Sequence, residues 1–119
     1  LIAIAPSNPY VSIGPILAVA EIRSALERRR VPAVAISPLI GGKAVRGPAD
    51  RMLARLAGGT SPQQVADCYR GLIDALVIDE ADAGQPAGVP TIVTRTLMND
   101  AEARARLAGA VLDAAGAPA

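Results

Sequence analysis

The sequence predicts an α/β fold with a doubly wound, mostly parallel sheet and helices on both faces. Short apolar segments alternate with segments of helical periodicity, which is the order expected of strands and helices in such a fold. Each apolar segment is hydrophobic throughout, as in strands buried on both faces. Of the 119 residues 51% are hydrophobic, yet the only aromatic residues are two tyrosines. A core of small branched side chains suits a Rossmann-like arrangement of tightly layered helices.

The first half of the chain is predicted to form two strands and two helices. In order, these elements are a strand at 1–5, a helix from 15 to about 29, a strand at 31–37, a loop at 38–47 and a helix from 48 to 58. Pro15 and Pro48 favour helix starts, because the first helical position needs no N–H donor. Pro32 is confined to the start of its strand, where proline is tolerated.

The second half continues the alternation. Its predicted elements are a helix at 62–69, a strand at 75–79, a turn or short helix at 80–89, a strand at 90–94 and a helix at 100–116, with a frayed end at 116–119. Ser61 and Gln64 form a capping-box pattern, and Asn99 with Glu102 gives a similar start for the last helix. The apolar residues predicted to share one face of that helix are Ala103, Leu107, Ala110, Val111 and Ala114.

Composition excludes several function classes. Twelve basic and 11 acidic residues give a net charge of +1, which argues against a nucleic-acid binder. The chain has no histidine, so Ser-His and Cys-His catalysis and imidazole-ligated metals are excluded within it. Cys68 is the only cysteine, so an internal disulfide and a multi-cysteine zinc site are excluded as well. No apolar run approaches the ~20 residues that span a bilayer, and no membrane association is expected.

The loop after the first strand, SNPYVSIGPIL (7–17), is the first candidate site. In α/β sheets, ligands bind beyond the carboxyl ends of the strands. Ser7, Asn8 and Ser12 offer hydrogen-bonding side chains, and Gly14 permits close backbone approach. The helix that follows is expected to present free N–H groups to an anion. An Asn-Pro turn followed by an ordinary helix start explains the same residues equally well.

The second candidate is GGKAVRGPAD (41–50), at the end of the second strand. Gly41 and Gly42 let the backbone approach a phosphate, while Lys43 and Arg46 supply positive charge. The spacing is neither that of a Walker A motif nor that of a dinucleotide fingerprint. A flexible surface loop with two basic residues is the alternative, and the location at a strand end favours phosphate binding.

Two further strand ends carry polar residues. Asp79 and Asp82, in DEAD (79–82), are candidate Mg²⁺ ligands, although a solvated loop or a helix cap explains them too. Thr94 and Thr96 follow the fourth strand and are candidates for ligand contact.

Taken together and in order, APSNPYVSIGPILAV, SPLIGGKAVRGPADRML, LVIDEADA and TLMNDAEARARLA resemble the C-terminal part of the 2-phospho-L-lactate transferase family, including its phosphoenolpyruvate-using members. The resemblance covers residues 1–119 as part of one Rossmann-like domain, and the family is commonly homodimeric. The chain opens on Leu1 in mid-strand, so the family's N-terminal glycine-rich part and its acidic metal-binding residue are expected to be missing.

The resemblance implies a transferase of coenzyme F-420 biosynthesis. A GDP-activated donor gives a phospholactyl or enolpyruvyl-phospho group to the deazaflavin precursor Fo and releases GMP, with Mg²⁺ as cofactor. The ligands implied are small molecules, the location implied is the cytoplasm, and a fragment without the upstream part is expected to be inactive. The nucleotide and phosphate contacts are then expected from the two glycine-containing loops.

Two departures from the family pattern accompany the resemblance. Arg95 stands where the family usually has an acidic residue, and Ala20 stands where it often has proline. Two other functions stay open: a nucleotide-sugar-binding regulator of the related fold family, and a non-catalytic nucleotide-binding or dimerisation module.

Overall fold

The fold is known from a computed structural model that describes residues 1–116, with side chains to residue 114. The strands are β1 (Ile2–Ile4), β2 (Ala33–Ile36), β3 (Leu39–Ile40), β4 (Lys43–Ala44), β5 (Ala75–Asp79) and β6 (Thr91–Thr94). Four of them form one parallel sheet in the order β1-β2-β5-β6. Its register places Ala35 beside Ile4 on one side and Leu76 on the other. The four predicted strands and the parallel α/β fold are confirmed.

Five α-helices accompany the sheet. They are α1 (Gly14–Leu17), α2 (Ala20–Glu27), α3 (Ala49–Leu56), α4 (Pro62–Asp67) and α5 (Ala101–Gly116). A π-helical turn, Pro9–Ile13, precedes α1, and a 3-10 turn, Glu80–Asp82, follows β5. No helix in this part of the chain is both long and apolar enough to cross a bilayer. Beyond residue 116, the frayed end that the sequence predicts lies outside the described residues.

Both faces of the sheet carry helices, because successive strand residues point to opposite sides. On one face Ala35 and Leu76 pack in a cluster with Leu53 of α3 and Val65 of α4. On the other face, Val34, Ile36 and Val77 pack with Leu107 and Val111 of α5. The apolar stripe predicted for α5 is therefore confirmed as the part of the helix that covers the sheet.

The prediction of a single helix from residue 15 to about 29 is wrong. Helical structure begins earlier, at Pro9, and breaks between α1 and α2, where Val19 is extended (φ −74°, ψ 113°). The resemblance implies that other family members often have proline at position 20, and proline imposes such an extended conformation on the residue before it. This chain has Ala20, and its helix breaks at the same place.

The loop predicted at 38–47 contains a hairpin. Gly41 (φ +60°) and Gly42 (φ +77°) connect β3 to β4, and two successive positive φ angles match the tight turn that suits the twist of paired strands. The Gly41 N–H donates to Asp82 Oδ2 (3.1 Å), and the Ala44 N–H donates to Asp50 Oδ2 (3.2 Å). Periodicity cannot reveal strands of two residues, so the hairpin was missed.

The predicted helix caps are half right. The capping box of α4 is present, with the Ser61 N–H donating to Gln64 Oε1 (3.0 Å). The cap of α5 is Asp100 instead of Asn99, because the Ala103 N–H donates to Asp100 Oδ1 (2.7 Å). Asn99 is therefore not the cap of α5.

Candidate functional site

A cleft of about 760 Å³ opens at the carboxyl ends of the parallel strands. Its wall is formed by the segments that follow β1, β2 and β6, together with the link from β4 to α3. The lining residues are Pro6, Ser7, Asn8, Val11, Ser12, Ser37, Pro38, Ile40, Val45, Arg46, Gly47, Pro48, Ala49, Thr96, Leu97, Met98 and Asn99. This is the place where an open α/β sheet binds ligands.

The structure brings together only some of the residues predicted as nucleotide or phosphate contacts. Those that line the cleft are Ser7, Asn8, Ser12 and Arg46, and those that do not are Gly14, Gly41, Gly42 and Lys43. Gly14 begins α1 against the Pro9 carbonyl, where an added Cβ would come within 3.0 Å of the oxygen. The other three belong to the β3–β4 hairpin, and Lys43 is exposed. Their contact with a ligand stays a prediction.

Asn8 uses its side chain to build the cleft wall. Its Oδ1 accepts hydrogen bonds from the N–H groups of Tyr10 (2.8 Å) and Val11 (3.1 Å). Its carbonyl oxygen accepts from the N–H groups of Ser12 and Ile13. Asn8 therefore occupies the N–H groups of residues 10 to 13, and an anion contact at the helix start near Pro15 stays a prediction.

Hydrogen bonds to Asp79 connect the segment after β6 to the end of β5. Its Oδ1 accepts from the Thr96 N–H (2.9 Å) and hydroxyl (3.2 Å), and its Oδ2 accepts from the Ala81 N–H (2.9 Å). Burial acts to raise the pKa of Asp79, but these hydrogen bonds outweigh it and hold the pKa below the ordinary value. Asp79 is thus an ionised carboxylate at neutral pH.

Asp82 is almost completely buried beneath the hairpin and accepts the Gly41 N–H. Burial, together with the nearby charge of Asp79, raises its pKa against the opposing hydrogen bonds from Gly41 and Gly42. Within residues 1–116 no group of three or more acidic or thiol side chains is placed to hold a metal ion. Both aspartates accept backbone N–H groups and neither lines the cleft, so magnesium binding by Asp79 and Asp82 stays a prediction.

Positive charge in the cleft comes from Arg46. No carboxylate lines the cleft, and among the described residues Arg46 has no ion pair or side-chain hydrogen bond. The adjoining α3 begins without a side-chain cap, and hydrogen bonds from Ala44 and Arg51 hold the first-turn carboxylate of Asp50. The arrangement suits an anionic group, which an arginine binds with charge-assisted hydrogen bonds.

Sequence reasoning missed Ser37 and misassigned Asn99. Ser37 is buried at the end of β2, and its Oγ accepts the Leu39 N–H (3.2 Å). The sequence feature that could have identified Ser37 is its position as a polar residue directly after a buried strand. Thr96, a predicted ligand contact, does line the cleft. Arg95 is exposed and lies 3.7 Å from a carboxylate oxygen of Glu80.

Comparison with known proteins identifies the family of the chain. The family model "2-phospho-L-lactate transferase CofD" matches residues 1–102. A phosphoenolpyruvate transferase of Mycolicibacterium smegmatis is 40% identical over 98% of this chain and 37% of its own length. A 2-phospho-L-lactate transferase of Methanococcoides burtonii is 40% identical over 85% of this chain and 34% of its own length.

A third relative, a phosphoenolpyruvate transferase of Thermobifida fusca, is 45% identical over 92% of this chain and 34% of its own length. The chain thus spans little more than a third of the curated relatives it matches. The family match nevertheless covers most of the described residues, including every segment that lines the cleft. The chain belongs to the 2-phospho-L-lactate transferase CofD family.

Proposed function

We propose that the full-length protein transfers a phospholactyl or enolpyruvyl-phospho group from a GDP-activated donor to Fo, with release of GMP. This is a step of coenzyme F-420 biosynthesis. The observation that carries the proposal is the cleft at the strand ends. Among the described residues that line it, Arg46 is the one cation and has no ion pair, and none is a carboxylate. Family membership supplies the reaction class, since matched relatives bear the names 2-phospho-L-lactate transferase and phosphoenolpyruvate transferase.

The proposed reaction requires that the two substrates be positioned and that the charge of the diphosphate be neutralised. A hydroxyl oxygen of Fo forms a bond to the phosphorus of the transferred group, and the bond from that phosphorus to GMP breaks. The hydroxyl loses its proton, and GMP departs with the bonding electrons. Because transfers of this kind depend mainly on electrostatic stabilisation, Arg46 beside the start of α3 is the group suited to the diphosphate.

Magnesium, cytoplasmic location and a homodimer belong to the proposal as implications of the family resemblance. A bound Mg²⁺ would neutralise phosphate charge. Asp79 and Asp82 do not line the cleft, so no role in the transfer is assigned to them.

Replacing Arg46 tests the anion site. Arg46→Gln should raise the dissociation constant for GDP on the order of ten- to hundredfold, because a hydrogen bond to a charged group is worth about 1.5–3 kcal/mol. Arg55→Gln is the matched control, since Arg55 is an exposed arginine of α3 outside the cleft. Titration calorimetry on the full-length protein gives both constants. Unchanged GDP binding in Arg46→Gln, or an equal loss in Arg55→Gln, would contradict the assignment.

Turnover tests the reaction itself. The full-length protein should release GMP from a GDP-linked 2-phospholactate or enolpyruvyl-phosphate donor only when Fo is present. Binding of GDP without any release of GMP would identify a nucleotide-binding module instead of an enzyme. Preference for a UDP-sugar over GDP would favour the nucleotide-sugar-binding alternative.

A further inference from the structure

Thr96 lies in the cleft wall, and a hydrogen bond to Asp79 orients its hydroxyl group. The residue is only 6% exposed and belongs to the segment after β6. The hydroxyl oxygen is 3.2 Å from Asp79 Oδ1, the same oxygen that accepts the Thr96 N–H at 2.9 Å. Two hydrogen bonds from one residue therefore hold Thr96 against the carboxylate.

The hydroxyl proton of Thr96 has one available direction. Asp79 Oδ1 accepts the Thr96 N–H and hydroxyl, and its Oδ2 accepts the Ala81 N–H. An ionised carboxylate accepts hydrogen bonds and donates none. The proton of Thr96 therefore points to Asp79, and the remaining lone pairs of Oγ can only accept a hydrogen bond from a ligand.

Two other polar groups of the cleft, Arg46 and Ser37, can donate hydrogen bonds to a ligand. Arg46 carries only donors. Ser37 Oγ accepts the Leu39 N–H, which leaves the Ser37 hydroxyl proton to be donated. The cleft thus combines donors suited to an anion with an acceptor at Thr96.

The strand order separates Thr96 from the loop after β1. Thr96 is hydrogen-bonded to the end of β5, two strands away from β1, whose following loop also lines the cleft. Neighbouring strands lie about 4.8 Å apart, so this separation is roughly 10 Å. A ligand that bridges the cleft can therefore contact both Thr96 and the loop after β1.

We infer that Thr96 Oγ, oriented by Asp79, is a specificity-determining acceptor for a ring N–H of a heterocyclic ligand. The inference rests on the proposed function, which supplies two ligands with such a group: the guanine of GDP and the deazaflavin ring of Fo. Both offer the same hydrogen-bonding chemistry to this acceptor.

The test compares three variants of the full-length protein by titration with GDP and, separately, with Fo. Thr96→Val keeps the shape and the backbone N–H bond to Asp79 and removes the hydroxyl. It should raise the dissociation constant of one of the two ligands about tenfold, which corresponds to about 1.4 kcal/mol, and leave that of the other ligand unchanged. The ligand that binds more weakly is the one whose ring Thr96 contacts. Thr96→Ser keeps the hydroxyl and should bind both ligands within about twofold of the original protein.

Asp79→Asn tests the direction of the hydroxyl. The asparagine amide can donate to Thr96 Oγ and turn the Thr96 proton into the cleft, so the same ligand should lose affinity at least as strongly. An unmodified protein provides a further measurement: an analogue of that ligand methylated on the ring nitrogen should also bind about tenfold more weakly. This comparison needs no variant to fold.

The inference is overturned if Thr96→Val leaves both affinities unchanged, or weakens GDP and Fo equally, as a merely structural residue would. An equal loss in Thr96→Ser and Thr96→Val would also overturn it. Failure of the proposed function has a different signature, because the unmodified protein would then bind neither GDP nor Fo.

Discussion

Asn8 illustrates how one side chain shapes the cleft. Its amide oxygen accepts two backbone N–H groups of the π-helical turn, and its Nδ2 lies 3.5 Å from Met52 Sδ on α3. The side chain therefore connects the loop after β1 to the helix beside Arg46. The polar side chain that the sequence marks as a candidate ligand contact thus makes hydrogen bonds within the fold.

Removing this cap should destabilise the protein. Asn8→Ala loses the acceptor for the N–H groups of Tyr10 and Val11, and loss of such a cap costs about 0.5–2 kcal/mol. Asn8→Asp is the control, because a carboxylate oxygen can accept the same two hydrogen bonds. Urea unfolding at neutral pH measures both free energies. If the alanine variant is as stable as the aspartate variant, the capping role is refuted.

At the scale of elements, the β3–β4 hairpin depends on its two glycines. A residue with a Cβ loses about 1–2 kcal/mol in the left-handed region that Gly41 and Gly42 occupy. In Gly42→Ala the new Cβ would also lie 3.0 Å from Thr60 Oγ1, whereas in Gly41→Ala its nearest contact is 3.8 Å from Ala81 Cβ. Thermal and urea unfolding should therefore show Gly42→Ala to be the less stable variant.

Gly109 provides the matched control for this comparison. It lies inside α5, has no positive φ, and a Cβ added there meets nothing within 4 Å. Gly109→Ala should stabilise the protein by about 0.5–1 kcal/mol, because alanine loses less conformational freedom in a helix. A similar destabilisation at positions 41, 42 and 109 would mean that backbone conformation is not the cause.

The elements also show where sequence reasoning succeeds. β5 was predicted at its observed bounds, because its apolar residues are continuous and polar or turn residues flank them. The hairpin and the break at Val19 were missed. Each depends on two or three residues, fewer than a hydrophobic period needs to become visible.

For the whole molecule, stability in acid should depend on Asp79. Its pKa is lowered in the folded state, so its stabilising contribution is present above the unfolded value of about 3.9 and is lost as the pH falls through the folded pKa. At pH 7, Asp79→Asn should be about 1–3 kcal/mol less stable, because a buried N–H or hydroxyl loses its acceptor.

Urea unfolding of both proteins between pH 7 and pH 2 gives the dependence. The difference between them should shrink as the pH falls below about 3.9, because the unfolded state takes up a proton there, and it should be lost once the pH has fallen through the lower folded pKa. A difference that stays constant over this range would show that the charge of Asp79 does not contribute.

The alternation of strands and helices, the parallel sheet buried on both faces and the polar strand ends could all be predicted from the sequence. These features follow from hydrophobic period and local backbone preference, which neighbouring residues express directly. Which polar groups face the cleft depends instead on the packed fold. Asp82 is engaged by Gly41, 41 positions away, and Asp79 by Thr96, 17 positions away. Hydrogen bonds between such distant positions exist only after the strands have assembled, and they leave Arg46 and Thr96 in the wall while Lys43 lies outside it.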